Sequence, residues 1–254
     1  MKTFILIFTT AFIFQYTEAQ RKIISLNGTW DIEASKTSNI VPKKYGHKIE
    51  VPSLINTAVP AFNKVGQFHS VEYVWTFDIP TEKPRDSIRN GVSYTDYNYF
   101  FYRRKVSVGQ KTDLALLKIN RAFYTSAVWI NGDKVGEDLS CITSVNYDIS
   151  KWVKWNSENE IVIRVGAHPD VLPAHYFEPN DPDKKEWMPG LWDDVSLILV
   201  NNPYFESVQI APDIRNSSVV IQANIKNKGT AGSYTIQFTV KEWKSGKIVQ
   251  REIQ

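Results

Sequence analysis

The sequence predicts an all-β fold: a sandwich or jelly roll with the beginning of a second sandwich behind it. Apolar and polar residues alternate with a period of two along most of the chain. Beyond the first twenty residues, no stretch of a dozen keeps a 3.6-residue apolar period, and polar turns separate the runs.

Length and composition agree with a folded β protein. The chain has 254 residues, 43% hydrophobic and 22% charged, which excludes disorder, collagen and a multi-span membrane protein. A net charge of +3, evenly spread, gives no reason to expect a nucleic-acid partner. Trp 8, Tyr 12 and Phe 13 make aromatics 13% of the chain, and most are expected in the core.

The first nineteen residues read as a signal peptide. Lys2 opens a basic n-region, Phe4 to Phe14 form an apolar run, and Thr17 and Ala19 suit cleavage after Ala19. The run is too short to span a bilayer, and no Cys follows it to carry a lipid anchor. A periplasmic or extracellular location is therefore expected, with no membrane span. Export favours disulfides, yet Cys141 has no partner in the sequence, so an intramolecular bridge is excluded and a buried inert thiol is expected.

The strands follow in order. Trp30 and Ile32 alternate with Asp31 and Glu33; Ala115, Leu117 and Ile119 repeat the pattern. In Ala127-Val128-Trp129-Ile130-Asn131-Gly132-Asp133-Lys134-Val135-Gly136, both central turn residues tolerate the positive φ of a type I′ hairpin. Ile161, Ile163 and Val165, then Val195, Leu197 and Leu199, alternate as half-buried strands do. Two proline-bearing segments, Val51 to Val71 and Ala167 to Pro189, read as long loops.

A boundary falls at Asn201-Asn202-Pro203, dividing the mature chain into residues 20–202 and 203–254. Val219, Ile221, Ala223 and Ile225 alternate beyond it, as do Tyr234, Ile236, Phe238 and Val240, with Ser245-Gly246 as a further hairpin candidate. Only 50 residues run from Phe205 to Gln254, whereas an immunoglobulin-type sandwich takes about 100. The second sandwich is expected to be cut short.

No G-x-S-x-G elbow, H-E-x-x-H, C-x-x-C or P-loop occurs, and no cofactor is expected. His47, His69, His168 and His175 lack metal-ligand spacing, and Asp181, Asp183 and Glu186 lack a Gly-centred calcium loop. Aromatic rings suit carbohydrate, because a flat apolar face covers the C–H face of a pyranose while polar neighbours take its hydroxyls. The second long loop carries Trp187 with His168, His175, Tyr176 and Glu178, and these are the candidate sugar-contact residues. Asn27-Gly28-Thr29 and Asn216-Ser217-Ser218 have the form of glycosylation sequons in a eukaryotic host.

Several motifs, in order, resemble glycoside hydrolase family 2, the β-galactosidase, β-glucuronidase and β-mannosidase group. They begin with Leu26-Asn27-Gly28-Thr29-Trp30, Val51-Pro52-Ser53 and Tyr102-Arg103-Arg104-Lys105-Val106. Val128 to Gly136, Tyr147-Asp148-Ile149, Asn159 to Val165 and Pro189-Gly190-Leu191-Trp192-Asp193-Asp194-Val195-Ser196-Leu197 continue the series. The resemblance implies a galactose-binding-like jelly-roll domain followed by a truncated immunoglobulin-like domain. It also implies a catalytic TIM barrel carrying the paired glutamates, which has no counterpart in these residues, so no catalytic residue is assigned.

The chain departs from the family pattern at three places. Asp138 to Ile142 replaces a Gly-Gly-Tyr segment, Asp193 replaces an arginine, and Gly166-Ala167-His168 replaces a region with an acidic residue. The expected role is a non-catalytic scaffold portion of an exported glycosidase, with carbohydrate and the barrel as partners. A stand-alone carbohydrate-binding module and a structural surface or adhesion protein are the alternatives.

Overall fold

A computed structural model of the chain describes residues 21–63, 65, 97–167, 171, 173 and 188–253. They fall into two compact units that divide between Asn201 and Asn202. The first unit opens with β1 (Lys22–Ser25), β2 (Gly28–Ser35), β3 (His47–Val51), β4 (Ser53–Leu54), a single 3₁₀ turn at Ile55–Thr57, and β5 (Tyr99–Val108). Next come β6 (Leu114–Ile119), β7 (Ala122–Phe123), β8 (Ser126–Ile130), β9 (Asp133–Asp138) and β10 (Val145–Asp148). The unit closes with β11 (Ser157–Gly166), β12 (Gly190–Leu191) and β13 (Val195–Val200). Described residues of both units are essentially all strand and turn.

Two antiparallel sheets face each other. One runs β3-β2-β5-β11-β8-β9 and the other β1-β13-β6-β10, with a small third sheet β4-β12-β7. β5, β6, β8, β10, β11 and β13 fall alternately into the first and second sheets, the crossing pattern of a jelly roll. The alternation seen in the sequence explains the core. Trp30, Ile32, Phe100, Tyr102, Ile161, Ile163 and Val165 point inward from one sheet. Ala115, Leu117, Ile119, Val195, Leu197 and Leu199 meet them from the other. Burying one of the larger of these side chains contributes about 1.5–3 kcal/mol.

β11 departs from the half-buried expectation, because both of its faces are covered. Val162 and Arg164, on the outer face, are buried as fully as their inward neighbours. The cause is residues 36–46, which fold over the outer face of the six-stranded sheet. Val41 and Tyr45 pack there on Phe101, Ala127, Trp129 and Val162. Arg164 anchors the same segment: it donates to the Ser38 carbonyl at 3.0 Å, pairs with Glu137 at 2.5 Å and lies over the Tyr99 ring. A buried guanidinium needs such partners, since an unpaired buried charge is strongly destabilising.

Charge is ordered across strands on that face. Lys48, Asp31 and Arg103 are direct neighbours on β3, β2 and β5, and Asp31 pairs with each cation at 3.0 Å. Burial pushes the Asp31 carboxyl up, but the bonds from Lys48 and Arg103 outweigh it and hold it below its ordinary range.

The β8–β9 hairpin turns as its residues require. Asn131 has φ 53° and Gly132 φ 95°, matching a two-residue type I′ turn. Ser245-Gly246 also lies in a hairpin turn, but a longer one: Gly246 N–H donates to the Glu242 carbonyl and Glu242 N–H to Lys247, with Gly246 at φ 69°.

The second unit contains β14 (Tyr204–Asp213), β15 (Ser218–Lys226), β16 (Gln237–Lys241) and β17 (Ile248–Ile253), paired as two antiparallel hairpins. The alternation at Val219, Ile221, Ala223 and Ile225 is a strand, whereas Tyr234 and Ile236 precede β16 instead of starting it. Val208 faces Ala223, Ile210 faces Ile221 and Pro212 faces Val219, so one face of the β14–β15 hairpin is wholly apolar. Val208, Ile210 and Val219 stay exposed, and none of the buried clusters among the described residues includes a residue of this unit.

Candidate functional site

The long loop after β11 leaves from one end of the six-stranded sheet. Register places Gly166 opposite Tyr99 and Ser126 opposite Asp138, so the starts of β5 and β8 and the ends of β9 and β11 share that end. Tyr124 and Gly166 bond each other's backbone there, and Ala167 donates to the Asn98 carbonyl at 2.8 Å. The chain returns as β12, between β4 and β7. Gly190 is required at that crossing, because a Cβ would lie 2.5 Å from the Ser53 carbonyl oxygen and 2.9 Å from Leu54 Cα.

Three turns converge beside this return. Asn27, in the β1–β2 turn, donates from Nδ2 to Asp194 at 2.7 Å and accepts from Val195 N–H at 3.1 Å. Leu26 and Asn27 carbonyls accept from Arg104, and Trp30 Nε1 also donates to Leu26. From the β6–β7 turn, Asn120 N–H donates to the Asp194 carbonyl at 3.0 Å, and Asn120 Nδ2 reaches Asp193 at 3.4 Å. The Leu26-to-Trp30 motif and the Gly190-to-Leu197 motif, distant in sequence, are thus bonded together in the fold.

The aromatic part of the site is Trp192. Phe123 stacks on it, with ring centroids 5.2 Å apart and planes 10° from parallel. The Arg121 guanidinium lies over the same indole at 4.9 Å. Arg121 Nε and Asp193 Oδ2 approach to 3.6 Å, an ion pair longer than a hydrogen bond. Trp192 Nε1 is buried without a hydrogen-bond partner. Phe123, Tyr124 and Cys141 form the apolar floor, with Leu139, Val171 and Trp192 against them.

Cys141 is a buried free thiol in this setting. Burial pushes its thiol above the ordinary range, and Sγ–H donates to the Leu139 carbonyl at 3.5 Å. His47 is also accounted for: it stacks on Phe62 at 3.9 Å, and its Nδ1–H donates to the Pro60 carbonyl at 2.6 Å.

The sugar-contact candidates His168, His175, Tyr176, Glu178 and Trp187 lie outside the described residues, as do His69, Asp181, Asp183 and Glu186. Sequence reasoning did not single out Arg121, Asn120 or Trp192 as site residues. Their only signals were an Asn-Arg pair closing a strand and a tryptophan inside a motif otherwise read as structural. No helix among the described residues is long and apolar enough to cross a membrane.

No family profile matches the chain. A β-galactosidase of Clostridium acetobutylicum is 24% identical over 232 residues, covering 89% of this chain and 24% of that protein. A β-galactosidase of Alteromonas mediterranea is 24% identical over 220 residues, covering 79% of this chain and 19% of its own. The solved β-glucuronidase of Ruminococcus gnavus in complex with D-glucuronic acid shares the fold with a TM-score of 0.58 at 14% identity. That match covers 95% of this chain and 40% of that one. The chain spans between 15% and 24% of the length of the curated relatives it matches, and 37% to 40% of the solved ones. In the order of its sequence motifs and in its all-β architecture, the chain resembles the N-terminal region of family 2 glycoside hydrolases, the β-glucuronidase and β-galactosidase group.

Proposed function

We propose that this chain is the non-catalytic, sugar-binding-type N-terminal portion of an exported family 2 glycoside hydrolase acting on O-glycosidic bonds. It scaffolds a catalytic barrel carried elsewhere in the enzyme and lends residues from the loop end of the sandwich to the sugar pocket. The observation that carries the reading is coverage. Nearly the whole chain matches solved β-glucuronidases in fold, while most of each relative's length has no counterpart in it. Glycoside hydrolysis needs two carboxyl groups held at a fixed separation across the scissile bond. Among the described residues, Asp194 accepts from Asn27, and Asp193 accepts from the Asp194 N–H and, at longer range, from Asn120.

The test is turnover of aryl β-glycosides by the purified chain, with no hydrolysis expected above the uncatalysed rate. Measurable turnover overturns the reading. Isothermal titration with β-linked oligosaccharides separates the stand-alone module: tight saturable heat from the chain alone favours that alternative. Export to the periplasm or beyond the cell rests on the Phe4 to Phe14 run and the cleavage pattern after it. N-terminal sequencing of the exported protein is expected to start at Gln20.

A further inference from the structure

We infer that Trp192, Arg121 and Asp193 form a shallow subsite for a neutral pyranoside. This rests on the carbohydrate-contact reading above and assigns it to side chains outside the long loop. The first argument is the ring. Trp192 is held in place by the parallel Phe123 ring, so its orientation is fixed before any ligand arrives. A fixed, part-exposed indole is the kind of surface that covers the C–H face of a sugar ring.

The second argument is the mismatch between Arg121 and Asp193. Both are substantially exposed, 44% and 36% by side chain, and they meet only at 3.6 Å. A donor and an acceptor held slightly too far apart to bond each other are both satisfied by one hydroxyl, which donates to the carboxylate and accepts from the guanidinium. Asn120 Nδ2, whose contact with Asp193 is a long 3.4 Å, adds a further planar polar group.

The third argument sets the ligand's charge. Arg121 stands beside the Asp193 carboxylate, so the pair has no excess positive charge to attract an anion. A neutral glycoside fits this balance, whereas a uronate brings a second carboxylate to it.

The experiment is a ¹H–¹⁵N NMR titration of the full chain with methyl β-D-glucopyranoside, methyl β-D-galactopyranoside and methyl β-D-glucuronide. The Trp192 indole signal is assigned from its loss in Trp192→Phe. A neutral glycoside is expected to shift that signal saturably, with the glucuronide at least about tenfold weaker. Arg121→Ala and Asp193→Asn are each expected to weaken neutral binding about two- to tenfold while the remaining spectrum stays dispersed. Arg121→Lys keeps the charge but loses the planar fork, and it recovers only part of the affinity. Glucuronide binding as tight as the neutral sugars overturns the proposal, as does a Trp192 signal that no glycoside moves. Saturable shifts elsewhere, unchanged by the Arg121 and Asp193 variants, overturn this subsite and leave the wider carbohydrate reading standing.

Discussion

Asn131 and Asn159 meet side chain to side chain, Asn131 Nδ2 donating to Asn159 Oδ1 at 2.9 Å. Asn159 Oδ1 also accepts from Lys154 N–H at 2.7 Å, and its Nδ2 donates to the Lys154 and Ser157 carbonyls. Asn131 adds bonds to the Trp152 carbonyl and, through Oδ1, from Glu160 N–H. Two asparagines thereby tie the β8–β9 turn to the connection between β10 and β11. The relationship explains two sequence motifs at once: each Asn is there to satisfy backbone groups that its turn leaves without partners.

Asn159→Ala strands the Lys154 N–H and both carbonyls in a buried place. A loss of about 2–4 kcal/mol is expected, near the sum for a few buried groups left unmade. Thermal unfolding followed by circular dichroism checks it, with a drop in Tm of roughly 4–16 °C. Asn159→Asp is expected to be no milder, because it turns a donor into an acceptor facing two carbonyls.

Glu137 couples folding to acid. Burial pushes its carboxyl up, but the bonds from Arg164 and Lys134 outweigh this and hold it below the ordinary value. A depressed folded-state value means the stabilisation is present above the unfolded value and is lost as pH falls through the folded one. Stability is therefore expected to decline below the ordinary carboxylate range, and Glu137→Gln should flatten that part of the curve in urea titrations across pH. At neutral pH Glu137→Ala leaves Arg164, only 2% exposed, without its carboxylate. A cost of about 2–3 kcal/mol is expected, below the fully buried case because Glu137 itself reaches solvent.

Gly190→Ala places a Cβ against the backbone of β4, where neither Ser53 nor Leu54 can move without breaking the small sheet. Overpacking of this kind costs about 1–3 kcal/mol. Faster hydrogen exchange at the β4–β12 amides is the specific readout, and exchange unchanged from wild type contradicts the tight crossing.

Cys141 is expected to resist Ellman's reagent in the folded protein and to react fully in denaturant, since both burial and the raised thiol value disfavour the thiolate. Rapid labelling under native conditions would falsify the inert assignment.

Much of the fold was legible from residue order alone. Asn131-Gly132 announced its hairpin because only a few residues accept positive φ twice in succession, and Trp30-Ile32 or Ala115-Leu117-Ile119 announced strands because the pleat has a period of two. The second buried face of β11 was not legible. Arg164 reads as a solvent-facing position until residues 36–46 are seen to lie over it. For the candidate site, the sequence pointed to the proline-rich loop carrying His168, His175, Tyr176, Glu178 and Trp187, which lie outside the described residues. The pairing of Arg121 with Trp192 and Asp193 was not legible, because those residues come from different turns.

By itself, then, the sequence determined the all-β class, the order of strands, the main hairpin and the motif resemblance to the N-terminal region of family 2 glycoside hydrolases. These are local or periodic properties, set by side-chain size, turn chemistry and the two-residue pleat. Only the tertiary structure decided which side chains meet: Asn131 with Asn159, Asn27 with Asp194, Arg121 with Asp193 over Trp192. Each pairing joins residues far apart in the chain whose approach depends on sheet crossing and register, and no local pattern records either.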